Sequence, residues 1–212
     1  MIIIYNIIAS VKQKITIIIC EVMLLGREGF EHLLGFHAAP MLLGLKTASL
    51  LSFQKRRFED FEGLLASYMP CFNCKGISVF RLSEGEEYVL LLFYRKGALI
   101  KDLAKPAAKK ILRKLGYLDE DTLMGKLEYL KMRMQLRKSF PHEVGLFLGY
   151  PPEDVAGFIR HKGQDFVYSG YWKVYANERE TQALFDLYAD CTHDFCLRLE
   201  AGESLPDLVK AV

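Results

Sequence analysis

Residues 77–94 read Ile-Ser-Val-Phe-Arg-Leu-Ser-Glu-Gly-Glu-Glu-Tyr-Val-Leu-Leu-Leu-Phe-Tyr. Two β-rich runs, Ile77 to Leu82 and Tyr88 to Tyr94, flank the polar stretch Ser83-Glu84-Gly85-Glu86. Branched and aromatic residues on either side of a short, glycine-containing connection are the signature of a β-hairpin. The second run is apolar from Val89 to Phe93, with no alternation left for a solvent face. A strand of that composition is covered on both sides, so it is expected at the centre of its sheet.

The flanking sequence changes period. From Met23 to about Pro70 the chain reads as short helices, with breaks at Pro40 and at Ser52 to Gln54. Phe58, Phe61, Leu64, Leu65 and Tyr68 recur at three and four residues and mark one buried helical face. Beyond the hairpin, Pro106 suits the first turn of a helix striped by Ala108, Ile111, Leu112 and Leu115 and closed by Gly116. A second helix, capped by Asp119 or Asp121, carries Leu123, Leu127, Leu130 and Met134 on one face through about Lys138. Pro152 to Lys162 predicts a shorter helix with Val155, Phe158 and Ile159 inward and Gly163 as its stop. Tyr171 to Tyr175 is expected as a third strand, with Trp172 and Val174 on its core face. Asn177 and Glu180 form a capping pair for a last helix lined by Leu184, Leu187, Tyr188, Cys191 and Phe195. The class this predicts is α+β: a small, mostly antiparallel sheet of at least three strands packed with several helices.

At 212 residues, 51% hydrophobic and 25% charged, the chain excludes wholesale disorder and fits within the size of one core. One α+β domain is expected over residues 23–212. Residues 1–22 are set apart by composition: they hold nine isoleucines, against four in all that follows. Lys12, Gln13 and Lys14 cut them into two apolar runs too short to span a bilayer. They also lack a signal peptide's basic start and small-residue cleavage site. They are expected to be an extension outside the domain, translated upstream sequence being preferred over an extra strand or a membrane-touching arm. Five scattered cysteines without disulfide-scaffold spacing point to a reducing, cytoplasmic compartment.

The stretch from Phe140 to Val155, Phe-Pro-His-Glu-Val-Gly-Leu-Phe-Leu-Gly-Tyr-Pro-Pro-Glu-Asp-Val, is followed by Gly170-Tyr171-Trp172-Lys173-Val174-Tyr175. These resemble the signature of an uncharacterised bacterial and archaeal domain-of-unknown-function family, family 3793. Ala39-Pro40, Gly44-Leu45-Lys46-Thr47 and Tyr94-Arg95 are similar to its other motifs, so the resemblance covers nearly everything after Met23. The family often has cysteine where this chain has Ala39, which leaves a cysteine nucleophile there unsupported. The resemblance implies no reaction, cofactor or substrate.

Candidate chemistry is weighed residue by residue. His142 and Glu143 follow Pro141 in a helix's first turn, where an acid suits the dipole and a histidine can bond nearby backbone. The functional alternative is a histidine base or anion contact, with Glu143 and Lys46 beside it and Lys46, Arg95 or Lys173 supplying positive charge. Tyr94 precedes Arg95 at the end of the central strand and is a ligand-binding candidate with it. Lys46, set among Leu42, Leu43, Leu45 and Leu50, is either a partly buried amine with altered pKa or one that reaches the surface. Cys71 and Cys74 offer half of a metal or redox motif, with Cys191, His193 and Cys196 as the other half. On a helix, Cys191 and His193 point about 200° apart and Cys191 and Cys196 about 140° apart, so inert cysteines are expected.

Residues 95–138 carry 13 Lys or Arg against five Asp or Glu within a chain of net charge +2. Lys105, Lys109 and Arg113 share one helical face, as do Lys110 and Lys114, either as a solvated face or as contacts for a phosphate-rich partner. Glu143 to Ile159 has helix-turn-helix spacing, but the would-be recognition helix opens Pro152-Glu153-Asp154 and sets two acids against phosphate. The leading expectation is a cytoplasmic binding or interaction domain with a small anionic molecule or a protein as partner. An enzyme acting on a small anionic substrate near His142 and Lys46 comes second, and nucleic-acid binding third.

Overall fold

The computed structural model describes residues 25–136 and 140–211; the isoleucine-rich segment 1–22 lies outside them. Helix α1 (Arg27–Leu42) leads into strand β1 (Ala48–Gln54), a 3-10 turn (Lys55–Arg57) and α2 (Phe61–Cys74). The hairpin follows as β2 (Ile77–Glu84) and β3 (Tyr88–Arg95). Then come α3 (Lys96–Ala104), α4 (Pro106–Lys114), α5 (Leu123–Leu136), the single turn α6 (Val144–Phe147) and α7 (Pro152–His161). Two short strands, β4 (Tyr168–Ser169) and β5 (Lys173–Val174), precede the long α8 (Glu178–Glu200) and α9 (Leu205–Leu208).

The main sheet is antiparallel in the order β1-β3-β2, so the continuously apolar strand is central, as its composition dictates. Val89, Leu91 and Phe93 face one core with α1, α2 and α8, where Phe30, Phe53, Phe61, Tyr68, Phe72 and Phe195 meet. Leu92 and Tyr94 face the other, built with Leu99, Ala108, Leu112, Tyr117, Leu127, Leu130 and Phe147. The α+β class follows from this sheet and the helices on both of its faces.

Several expected details are corrected. Ser52 to Gln54 is no break, because residues 48–54 form β1, pairing Leu51 with Leu91 and Phe53 with Val89. Tertiary pairing here overrides a local sequence that resembled a helix. Pro40 does not interrupt α1 but sits in its last turn. Residues 171–175 supply only the two-residue β5, paired with β4 in a separate ribbon, so β1 is the main sheet's third strand. Thr122, whose hydroxyl accepts from Gly125 N at 3.1 Å, caps α5 in place of Asp119 or Asp121. Asn177 starts α8 in a left-handed conformation without a side-chain cap bond, so the Asn177–Glu180 pair does not form. Ile159 and Leu187 turn outward, while Trp172 and Val174 turn inward.

Candidate functional site

Gly44 shapes the turn that presents Lys46. It adopts φ +80°, which glycine accepts without a Cβ clash, and closes α1 through two hydrogen bonds. Gly44 N donates to Met41 O at 3.0 Å and Leu45 N to Pro40 O at 2.8 Å, the pattern of a Schellman cap. Lys46 leaves this turn with its ammonium 5.5 Å from the Tyr150 ring centroid. Among the described residues it makes no ion pair, and burial lowers its pKa to about 8. Thr47, next in sequence, donates to Asp102 Oδ2 at 2.5 Å, and Lys105 bridges the same carboxylate at 2.7 Å. Tyr150 in turn stacks on Trp172, centroids 4.6 Å apart, while Tyr188 of α8 donates to Leu45 O at 3.3 Å. Burial first, then nearby Cys191, Tyr171 and Asp102, pushes the Tyr188 hydroxyl up to about 12.

Asp154, in the first turn of α7, holds the neighbouring segment. Its buried carboxylate accepts from Trp172 Nε1 at 2.7 Å, Tyr175 N at 2.7 Å and Ala176 N at 3.1 Å. These bonds lay Tyr175 across α7 at Gly157, where an added Cβ would stand only 2.4 Å from the tyrosine ring. His161 stacks on Tyr175 with centroids 5.6 Å apart, and its Nδ1 lies 3.2 Å from Asp165 Oδ2. The Tyr175 hydroxyl is buried and has no hydrogen-bond partner among the described residues.

Between α4 and α7 runs a groove of about 550 Å³ floored in part by Tyr175. Lys110, Ile111 and Lys114 face it from α4; Glu153, Gly157, Arg160 and His161 face it from α7, with Asp165 at the rim. Lys110, Lys114 and Arg160 have no carboxylate partner among the described residues, whereas Lys55, Arg81, Arg113 and Arg198 are all paired. A second hollow of about 520 Å³ continues past Ala107, Pro152 and Glu153 to Lys105 and Gly149. Its wall at Gly149 lies against Thr47.

The other candidates take separate places. His142 is exposed with its ring edge-on to Phe158 at 4.9 Å. Glu143 is buried, accepting the Arg133 Nε–H and, at 3.3 Å, the Tyr117 hydroxyl. Burial, followed by the Glu143 charge, pushes the Tyr117 hydroxyl well above the ordinary tyrosine range. Arg95 is buried and donates to four main-chain carbonyls: Met41 at 2.9 Å, Lys75 at 2.9 Å, Leu42 at 2.8 Å and Lys210 at 2.8 Å. Tyr94 is buried in the core beside it, its hydroxyl pushed up by that burial. Lys173 donates to Gly163 O at 2.6 Å and lies 4.7 Å from the Phe166 ring centroid.

Cys74 donates to the carbonyl of Cys71, and burial raises the Cys71 thiol. Burial also raises the thiols of Cys191 and Cys196 on α8. Among the described residues no three His, Cys, Asp or Glu gather closely enough to hold a metal ion.

Lys46 therefore meets Tyr150, and His142 and Lys173 both reach Phe158, while Arg95 is occupied elsewhere. Sequence reasoning singled out Lys110 and Lys114 but missed Tyr150, Asp154, Arg160, His161 and Tyr175. The available signal was the spacing of Glu153, Gly157, Arg160 and His161 on one side of α7, facing the Lys110–Lys114 side of α4.

One protein-family profile, described as a protein of unknown function (DUF3793), matches residues 34–209. No curated protein matches, and no solved structure matches. No helix among the described residues is long and apolar enough to cross a membrane.

Proposed function

We infer that this chain, which belongs to the DUF3793 family of proteins of unknown function, is a binding protein for a small anionic ligand taken into the groove between α4 and α7. The observation that carries this reading is the trio Lys110, Lys114 and Arg160 facing one groove without carboxylate partners among the described residues. A groove of about 550 Å³ lies within the usual size range of small-molecule sites. Glu153 and Asp165 also line it and bias the ligand's negative charge toward the Lys110–Lys114 side. Cytoplasmic residence belongs to the same proposal, supported by the four free thiols among the described residues.

An enzyme working near His142 and Lys46 draws less support, because those residues meet different aromatic neighbours, Phe158 and Tyr150. Nucleic-acid binding is disfavoured because α6 is a single turn and Glu153 stays exposed at the start of α7.

Calorimetric titration with inorganic pyrophosphate at low salt tests the proposal. The expected result is saturable binding that Lys110→Glu/Lys114→Glu removes while the circular dichroism melt is preserved. Binding unchanged in that variant overturns the groove assignment. Submicromolar affinity for a mixed-sequence DNA duplex, falling steeply with salt, would replace a small ligand with nucleic acid.

A further inference from the structure

Resting on the reading of the α4–α7 groove as an anion site, we propose that its ligand is an ω-amino phosphate monoester. Such a molecule is linear, and here its terminal ammonium lies at Glu153 and its phosphate between Lys114 and Arg160. The two helices run side by side in the same direction. Lys105, Pro106 and Ala107 at the start of α4 share the second hollow with Pro151, Pro152 and Glu153 at the start of α7. Two turns further along, Lys114 ends α4 beside Arg160 and His161 in the last turn of α7. The trough therefore has a head and a tail of opposite sign.

At the head, Glu153 is exposed and makes no ion pair among the described residues. Lys105, the cation of that end, is bridged instead to Asp102 at 2.7 Å. The other first-turn acid, Asp154, is turned inward to Trp172 and Tyr175. At the tail, Lys114 and Arg160 are exposed, with Lys110 one turn back on α4. Asp165, the acid of that end, lies against His161 Nδ1 at 3.2 Å. Each charge suits its own helix end, since acids favour the first turn and bases the last. Helix ends alone do not require that both sets line one cavity.

Between head and tail, Ala107 and Ile111 of α4 face Pro152 and Ala156 of α7, an apolar floor for an alkyl chain. Glu153 and Arg160 are seven residues apart, about 10 Å along the α7 axis. An amine and a phosphate joined by a hexyl chain span about that distance. Three cations against the single Asp165 match a phosphate dianion better than a carboxylate.

Calorimetric titration at low salt with aminohexyl phosphate and with hexyl phosphate tests the proposal, since the two share anion and chain and differ in the ammonium. The protein is expected to bind the amino compound about threefold more tightly, the size of one exposed ion pair. Glu153→Gln should erase that preference, with hexyl phosphate bound somewhat more tightly as a nearby negative charge is lost and the circular dichroism melt retained. Equal or weaker binding of the amino compound by the unaltered protein overturns the proposal, while pyrophosphate binding keeps the anion site itself. A preference that survives Glu153→Gln also overturns it. So does binding of neither compound, and pyrophosphate then shows whether the anion site falls as well.

Discussion

The indole nitrogen of Trp172 donates to Asp154 Oδ2 at 2.7 Å, so the side chain that starts α7 is tied to the residue that precedes β5. The other oxygen takes the Tyr175 and Ala176 amides. Asp154→Ala leaves these donors without their acceptor and is expected to cost about 3 kcal/mol, with Asp154→Asn about half that. Urea denaturation followed by circular dichroism measures both. A loss under about 1 kcal/mol for the alanine variant would show that the donors find other partners.

Trp172 is 9% exposed and packs on Phe185, whereas Lys173 turns toward Gly163 and Phe166. Trp172→Ala is expected to cost about 3 to 5 kcal/mol through the cavity it leaves. Lys173→Ala should cost about 1 kcal/mol, the worth of one hydrogen bond. Chemical denaturation of the two variants decides, and the reverse order would mean that the inward and outward faces are misassigned.

Arg95 joins the end of α1 to Lys75 and Lys210. Arg95→Met keeps the length and removes the donors, so a loss of about 3 kcal/mol or more is expected. Arg95→Lys should rescue little, since an ammonium cannot reproduce the planar fork. Hydrogen exchange should accelerate at residues 41–46 and around 210, and unchanged protection there would refute the clip.

Lys46 makes a signed pH prediction. Its pKa in the fold, about 8, is below the ordinary lysine value near 10.4. Between those values the unfolded chain binds the extra proton, so stability rises with pH by at most about 1.4 kcal/mol per unit. The wild type should therefore gain on Lys46→Met from pH 8 to 10. Tyr68, Tyr117 and Tyr188, all raised by burial, act oppositely above their ordinary range but are common to both proteins. A constant difference between the two denaturation profiles would count against a desolvated amine.

A chain beginning at Met23 is expected to melt at the same temperature as the full one. That follows from the compositional break at residue 22. Scanning calorimetry of the two forms is sufficient, and a large fall on deletion would make residues 1–22 part of the core.

The hairpin and its central strand were legible because composition alone specified them. Val89 to Phe93 has no polar residue to place on a wet face. Strand β1 was not legible, since Ala48 to Gln54 acquires strand geometry through pairing with a partner some forty residues away. The same limit hid the site. Lys46 was singled out by its leucine neighbours, but its contact with Tyr150 crosses about a hundred residues. Asp154 was weighed only as an acid set against phosphate at the start of a would-be recognition helix, and its buried bonds to Trp172 and Tyr175 left no trace in the local sequence.

The closure of Leu42 against Lys210, with Lys210 N donating to Leu42 O at 3.1 Å, bears on synthesis. Helix α1 also packs against α8, so the apolar face of Phe30, Leu34 and Ala38 cannot be fully covered until roughly 170 further residues have been made. At common elongation rates of about 5–20 residues per second, that is on the order of ten to thirty seconds with an apolar helix incompletely sheltered. During that interval the nascent α1 is a natural client for a chaperone that holds hydrophobic segments, and its demand for one should grow as translation slows.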